Sequence, residues 1–202
     1  MFQVNQLSKR PYLKPVSFSL AAKEVLVLSG VSGSGKSVLL RALADLDPHE
    51  GDVRLEGKPQ SDWKVTQWRK KVMWFPAETA WWEDSVATHF PEISSKSAQA
   101  WWLSAFDKLY LPSSILKKSV DKLSSGEKQR LALIRGLIEM PQVLLLDEVT
   151  ANLDPESTLA VEALIAEYLT EQQACAIWVT HDPQQAKRIG SRQLELHRDT
   201  DT

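Results

Sequence analysis

Residues 30–37 read Gly30-Val31-Ser32-Gly33-Ser34-Gly35-Lys36-Ser37, and few octapeptides restrict a fold as tightly. The spacing G-x-x-x-x-G-K-[ST] has its meaning between a strand and a helix. Its glycines let the backbone curl until successive N–H groups face inward, and the helix that follows adds its partial positive charge. Such a cradle suits phosphate oxygens. Lys36 is placed to reach β- and γ-phosphates, and Ser37 to set its hydroxyl on Mg²⁺. The flanks agree: Val25–Leu28 is an apolar run, and a helical pattern covers Lys36–Leu46. A Gly/Ser turn would share this composition, but the full spacing arises by chance in roughly one chain of this length in a hundred.

Alternation continues along the chain. Val72–Phe75, Val143–Leu146 and Ala176–Val179 are further short apolar runs, the pattern of parallel strands buried on both faces. Three segments near the N-terminus instead alternate apolar with polar residues: Phe2–Leu7, Val16–Leu20 and Val53–Glu56. They predict half-exposed antiparallel edge strands. Helical patterns cover about Ser97–Leu109, Gly126–Ile138, Glu156–Leu169 and about Pro183–Ile189. The expected fold is α/β, a parallel phosphate-loop sheet with an antiparallel edge sheet. Residues about 80–122 carry Ser and Pro punctuation and no strand pattern. We expect a small helical subdomain there, inserted into one core formed by about 1–79 and 123–202.

Val143–Leu146 ends in two carboxylates, Asp147 and Glu148. A buried parallel strand delivers whatever follows its C-terminal end to the ligand crevice of the sheet. Asp147 can hold Mg²⁺ opposite Ser37, and Glu148 can orient and deprotonate a water. Trp178-Val179-Thr180-His181 ends another core strand and puts His181 within reach of a γ-phosphate. A lone histidine is more often a structural hydrogen bonder. Leu123-Ser124-Ser125-Gly126-Glu127-Lys128-Gln129-Arg130 reads first as a capping box before a helix, and a capped start with free N–H groups is also an anion site. Asp154-Pro155 reads as the N-cap and first-turn proline of the next helix.

Composition removes several function classes. A net charge of −2 argues against nucleic acid as a partner. Cys175 is the only cysteine, so an internal disulfide and a thiolate metal cluster are both excluded. No apolar run is long enough to span a bilayer, and the first ten residues lack the apolar core of a signal peptide. Cytoplasmic is the default expectation.

The order of phosphate loop, Leu123–Arg130 segment, Asp147-Glu148, Ala151–Asp154 and His181 resembles the ATP-binding-cassette ATPases over almost the whole chain. Leu123–Arg130 is similar to their LSGGQ signature, with Ser125 at the usual third-position glycine and Glu127 for glutamine. Ala151–Asp154 is similar to their D-loop and His181 to their switch histidine. The resemblance implies ATP and Mg²⁺ as cofactors and a head-to-tail homodimer formed on ATP binding. ATP would lie between Gly30–Val38 of one copy and Ser124, Ser125, Gly126, Glu127 and Asp154 of the other. Glu148 and His181 would be catalytic, and Ser37 and Asp147 the metal pair. It also implies a separate transmembrane permease, and so a chain held peripherally on the inner face of the cell membrane. Leu111–Leu116 with Ser125–Arg130 resembles the short FetA-type subunits, which implies metal, specifically iron, export.

Three departures stand out. Ala77 occupies the place of the family's metal-sensing glutamine, Val38 that of a threonine, and Tyr12 in a shortened segment is the candidate adenine stacker. Two other functions stay in view: a non-transport switch of the same superfamily (cell-division type), and a small-molecule kinase, against which the Ser124–Arg130 segment argues. Eight tryptophans remain unexplained, among them the pairs Trp81-Trp82 and Trp101-Trp102. One member of each pair buried and one on the surface would be ordinary amphipathic design. An aromatic groove for a permease helix is the functional reading.

Overall fold

A computed structural model describes residues 1–90 and 96–197, without side-chain detail for 96–100. The first two strands, β1 (Phe2–Lys9) and β2 (Leu13–Leu20), form an antiparallel hairpin. With β4 (Glu50–Leu55) and the short β5 (Lys58–Pro59) they make a four-stranded sheet in the order β2-β1-β4-β5. Alternation sets its faces: Phe2, Val4 and Leu7 of β1 are buried while Gln3 and Asn5 are exposed. The second sheet is wholly parallel, in the order β6 (Val72–Phe75), β7 (Val143–Asp147), β8 (Cys175–Val179), β3 (Val25–Ser29), β9 (Arg192–Glu195).

Both faces of the parallel sheet are covered, which is why β7 and β8 are apolar at every position between their ends. One face, with Val143, Leu145 and Ile177, packs on helix α1 (Lys36–Leu43) and the antiparallel sheet. The other, with Leu144, Leu146 and Trp178, packs on α4 (Ser125–Leu137) and α5 (Pro155–Glu171). Two further helices are α2 (Val65–Lys71), after β5, and α3 (Lys96–Lys108), before α4. Gly136 of α4 allows a close approach: a Cβ there would lie 2.3 Å from Phe75 Cε1. The last helix is α6 (Pro183–Ile189), between β8 and β9.

The α/β expectation holds for both sheets, and the predicted strands sit within two or three residues of the observed ones. Three elements, β5, α2 and β9, lie outside the predicted segments. Part of the expected helical insertion, residues 91–95, lies outside the described residues. On either side of that gap, Val86 N–H donates to Lys118 O (3.2 Å) and Val120 N–H to Asp84 O (2.7 Å), so Asp84–Val86 and Lys118–Val120 run together.

The first tryptophan pair divides between core and surface as expected, and the second does not. Trp81 and Trp82 sit in a loop, Trp81 half-buried and Trp82 66% exposed. Trp101 and Trp102 are both partly buried against the core. Trp101 meets Tyr168 of α5 at 6.0 Å, and Trp102 meets Phe90 and Phe106 at 5.9 and 5.3 Å. α3 has apolar neighbours on two sides, so adjacent residues both find one.

Candidate nucleotide site

β3 delivers the chain into the glycine loop, and α1 leaves it. Gly33 and Gly35 have φ of 76° and 94°, the left-handed region where a side chain is strained. Gly35 has a second reason: a Cβ there would lie 2.6 Å from Tyr12 O. As N-cap of α1, Gly35 carries no side-chain cap, and Leu39 N–H is the first donor to close on Gly35 O (2.8 Å). The earlier N–H groups therefore have no partner inside the helix and mark its positive end. Lys36 is buried, its ammonium folded back to donate to Gly30 O (2.8 Å) and Val31 O (3.1 Å). Ser34 Oγ is buried with no hydrogen-bond partner. This is a basic group and a set of polar donors gathered on one backbone curl.

Asp147 ends β7 beside this loop. Burial holds its carboxyl above the ordinary carboxylate range, partly offset by the Ser37 hydroxyl, and the Glu148 charge adds to the rise. Trp74 Nε1 is buried without a full hydrogen bond, yet favours the ionised Asp147. A divalent cation fits this pair, since it would relieve the carboxylate and hard cations take oxygen donors. Among the described residues no cluster of three or more His, Cys, Asp or Glu could hold a metal. Mg²⁺ does not need one, because it binds through one or two protein ligands plus substrate phosphates.

Glu148 turns sharply out of the strand with φ 52°, and its N–H still reaches Val179 O of β8 (3.2 Å). His181, just past β8, places Nε2 3.1 Å from Glu148 Oε1. The structure thus gathers Lys36, Ser37, Asp147, Glu148 and His181 at the C-terminal edge of the parallel sheet.

The other predicted residues form a second group. Ser124 caps α4: Glu127 N–H donates to its Oγ (3.1 Å), and its own N–H donates to Glu127 Oε2 (2.8 Å). That backbone bond is the main reason Glu127 lies below the ordinary carboxylate range, and Lys118 adds a 3.0 Å ion pair. Gly126 packs beside the Asn152-Leu153 turn, where a Cβ would come 3.3 Å from Leu153 Cδ2. Asp154 caps α5 by accepting from Ser157 N–H (2.9 Å), so its carboxylate is engaged as the sequence indicated. Ala77 is half-buried and Glu78 exposed. Gln129 of α4 donates to Pro76 O at 3.4 Å, an anchor that no motif singled out.

The family pattern described as ABC transporter matches residues 13–151. The chain belongs to the ABC transporter family. It is an ATP-hydrolysing cassette of that family. The cassette is 39% identical over 175 residues to the "Probable iron export ATP-binding protein FetA" of Escherichia coli, covering 84% of this chain and 78% of that one. It is 33% identical over 211 residues to the "Phosphate import ATP-binding protein PstB" of Aeropyrum pernix, covering 95% and 83%. Among solved structures, an ATP-binding subunit of an ABC transporter superimposes with a TM-score of 0.88 at 20% identity, covering 98% of this cassette and 86% of that chain. A dimeric cassette holding ADP and phosphate gives 0.81 at 22% identity, covering 98% and 95%. At those identities the two structures speak for the fold.

Proposed function

We propose that this cassette is the ATP-driven subunit of a membrane exporter, pairing head to tail with a second copy and acting on a separate permease. The observation that carries the reading is the gathering of Lys36, Ser37, Asp147, Glu148 and His181 at one sheet edge. Metal export, with iron as cargo, is the finer proposal, supported by the likeness to the Escherichia coli protein. No helix of the described residues is long and apolar enough to cross a membrane, and the proposal gives the path for cargo to the separate permease.

In the proposed mechanism the N–H groups of Gly30–Val38 surround the phosphates, and Lys36 exchanges its two carbonyls for phosphate oxygens. Tyr12 is 63% exposed next to Gly35 and offers its ring to the adenine. Ser37 and Asp147 would hold Mg²⁺, which supplies charge neutralisation at the phosphates. Glu148 orients the attacking water and takes its proton, while His181 holds the Glu148 carboxylate and reaches the γ-phosphate. Ser124–Glu127 and Asp154 of the second copy complete the site. ATP then favours the paired state and its hydrolysis the open one, which biases the permease between two states.

The permease is assigned to a groove of about 630 Å³ between β6 and α4, lined by Trp74, Phe75, Trp82, Leu133 and Gly136 among others. It borders residues 80–122, which we propose as the inserted subdomain. Of the four tryptophans considered from sequence only Trp82 lines it, and Trp74 joins it. Arg135 stacks 4.7 and 4.8 Å from the Trp81 and Trp82 rings and stiffens that wall. An aromatic apolar groove suits a helix from a membrane partner. Trp82→Asp should abolish copurification of a multispanning protein that stimulates the wild-type ATPase, and leave nucleotide affinity within about twofold. Retained stimulation in that variant would remove the groove from the coupling route.

A second expectation concerns Ala77. Its methyl group can neither ligate a cation nor orient a water, and Glu78 points to solvent. Basal hydrolysis should therefore be slow. Ala77→Gln should raise turnover at saturating Mg²⁺, and Glu78→Ala should leave it unchanged. A large loss in Glu78→Ala without a gain in Ala77→Gln would hand the role to Glu78.

A further inference from the structure

α6 starts two residues after His181 and is seven residues long, and its one buried residue is Gln185. Helices this short are normally fixed by an apolar stripe. Here Ile189 packs only partly buried against the core, and the one buried position is taken by an amide. Gln185 Nε2 donates to Thr150 Oγ1 (2.9 Å) and to Glu162 Oε1 (2.9 Å), in a site where Gln185, Thr150 and Glu162 are all buried. Arg188, one turn further on α6, closes on the same carboxylate, Nε to Oε2 at 3.0 Å and Nη2 to Oε1 at 2.8 Å. Thr150 Oγ1 also donates to Gln185 Oε1 (3.2 Å), so every side-chain polar group of Gln185 and Glu162 has a partner, as a buried polar network requires.

The network's ends matter for function. Thr150 lies two residues past Glu148 in a tight turn, where Ala151 N–H donates to Glu148 O (3.0 Å) and Leu153 N–H to Thr150 O (3.1 Å). Gln185 lies four residues past His181, and the intervening Asp182 caps α6 by accepting from Gln184 N–H (2.8 Å). Glu162 stands on α5, packed against the core. Glu148, Thr150, His181, Gln185 and Arg188 all line one cleft of about 580 Å³. The two reacting groups leave neighbouring strands, and this network is what joins the segments beyond them.

We propose that Gln185, bridging Thr150 to Glu162 and Arg188, is a positioning residue that sets His181 against Glu148. This rests on the assignment of Glu148 and His181 to ATP hydrolysis. His181 is 56% exposed on its side chain and so is not held by its own packing. Its place follows that of α6. If α6 slides, the 3.1 Å contact with Glu148 lengthens first, and a misplacement of about 1 Å at a reacting group can lower a rate by about 100-fold.

Gln185→Met keeps the side-chain volume and removes all three side-chain hydrogen bonds of Gln185. Thr150→Val keeps the shape and removes the two that join Thr150 to Gln185, leaving the one to Glu162. Purified wild type and variants are compared by kcat, KM for ATP, affinity for a fluorescent ATP analogue, and Tm. Gln185→Met should lose about 10-fold or more in kcat, and Thr150→Val about threefold, with KM and analogue affinity within about twofold of wild type. Gln185→Met in a His181→Ala background should lose nothing further, since residues acting through one contact are not additive. Independent losses in that cycle, or parallel losses of affinity and Tm, would make the network merely structural. Wild-type kcat in Gln185→Met beside a disabled His181→Ala would overturn the positioning role alone. Wild-type kcat in His181→Ala would overturn the assignment of His181, and the positioning role with it.

Discussion

Lys36→Ala should abolish measurable ATP binding, with affinity falling by about 100-fold or more, or at least about 2.7 kcal/mol. Lys36 is the only lysine or arginine in the glycine loop, and its side chain is already folded over the backbone curl where phosphates would lie. Burial strengthens its attraction for a multiply charged phosphate relative to a surface lysine. Lys36→Arg should not rescue binding. A guanidinium is wider and planar, and the space over Gly30 O and Val31 O admits a compact ammonium. Titration of a fluorescent ATP analogue reads both variants. Near wild-type affinity in Lys36→Ala would place the phosphates elsewhere.

How legible the molecule was from its sequence depended on how local each signal is. β3, β6, β7 and β8 are buried on both faces, so each is a continuous apolar run. β9 is an edge strand, Arg192-Gln193-Leu194-Glu195, with only Leu194 partly buried. A strand so exposed leaves no hydrophobic pattern. α2 is similar: Trp68 is its one buried residue, fixed by its indole N–H on Leu43 O (2.8 Å), and one residue makes no stripe. The phosphate loop and the Asp147-Glu148 pair are contiguous, so spacing alone exposed them. Thr150, Glu162, Gln185 and Arg188 are common polar residues spread over 39 positions, and only the packing of α6 on α5 brings them together. The second tryptophan pair departs from the expected split for a related reason. Adjacency in a helix argues that two side chains diverge, and Trp101 and Trp102 do diverge, but both directions lead into apolar surroundings.

Glu148→Gln should separate binding from chemistry. The amide keeps the shape of the carboxylate and can still meet His181, yet it cannot accept a proton from water at neutral pH. Losing a positioned general base costs about 10²- to 10⁴-fold in rate, so turnover should fall by at least about 100-fold with ATP affinity unchanged. Asp147 should not substitute, because it is buried and spent on Ser37 and the cation position. Glu148 keeps 34% of its side-chain surface in the single chain, which leaves it open to water until a second copy covers that edge. The variant should therefore collect in the ATP-bound pair, eluting as a dimer from a sizing column with ATP and as a monomer without it. Two results would count against the scheme separately. Unchanged turnover removes Glu148 from the chemistry. Slow turnover with a monomer at every ATP concentration keeps Glu148 as the base, but leaves Ser124–Glu127 with no phosphate to meet, since those residues form a group apart from Lys36 within one chain.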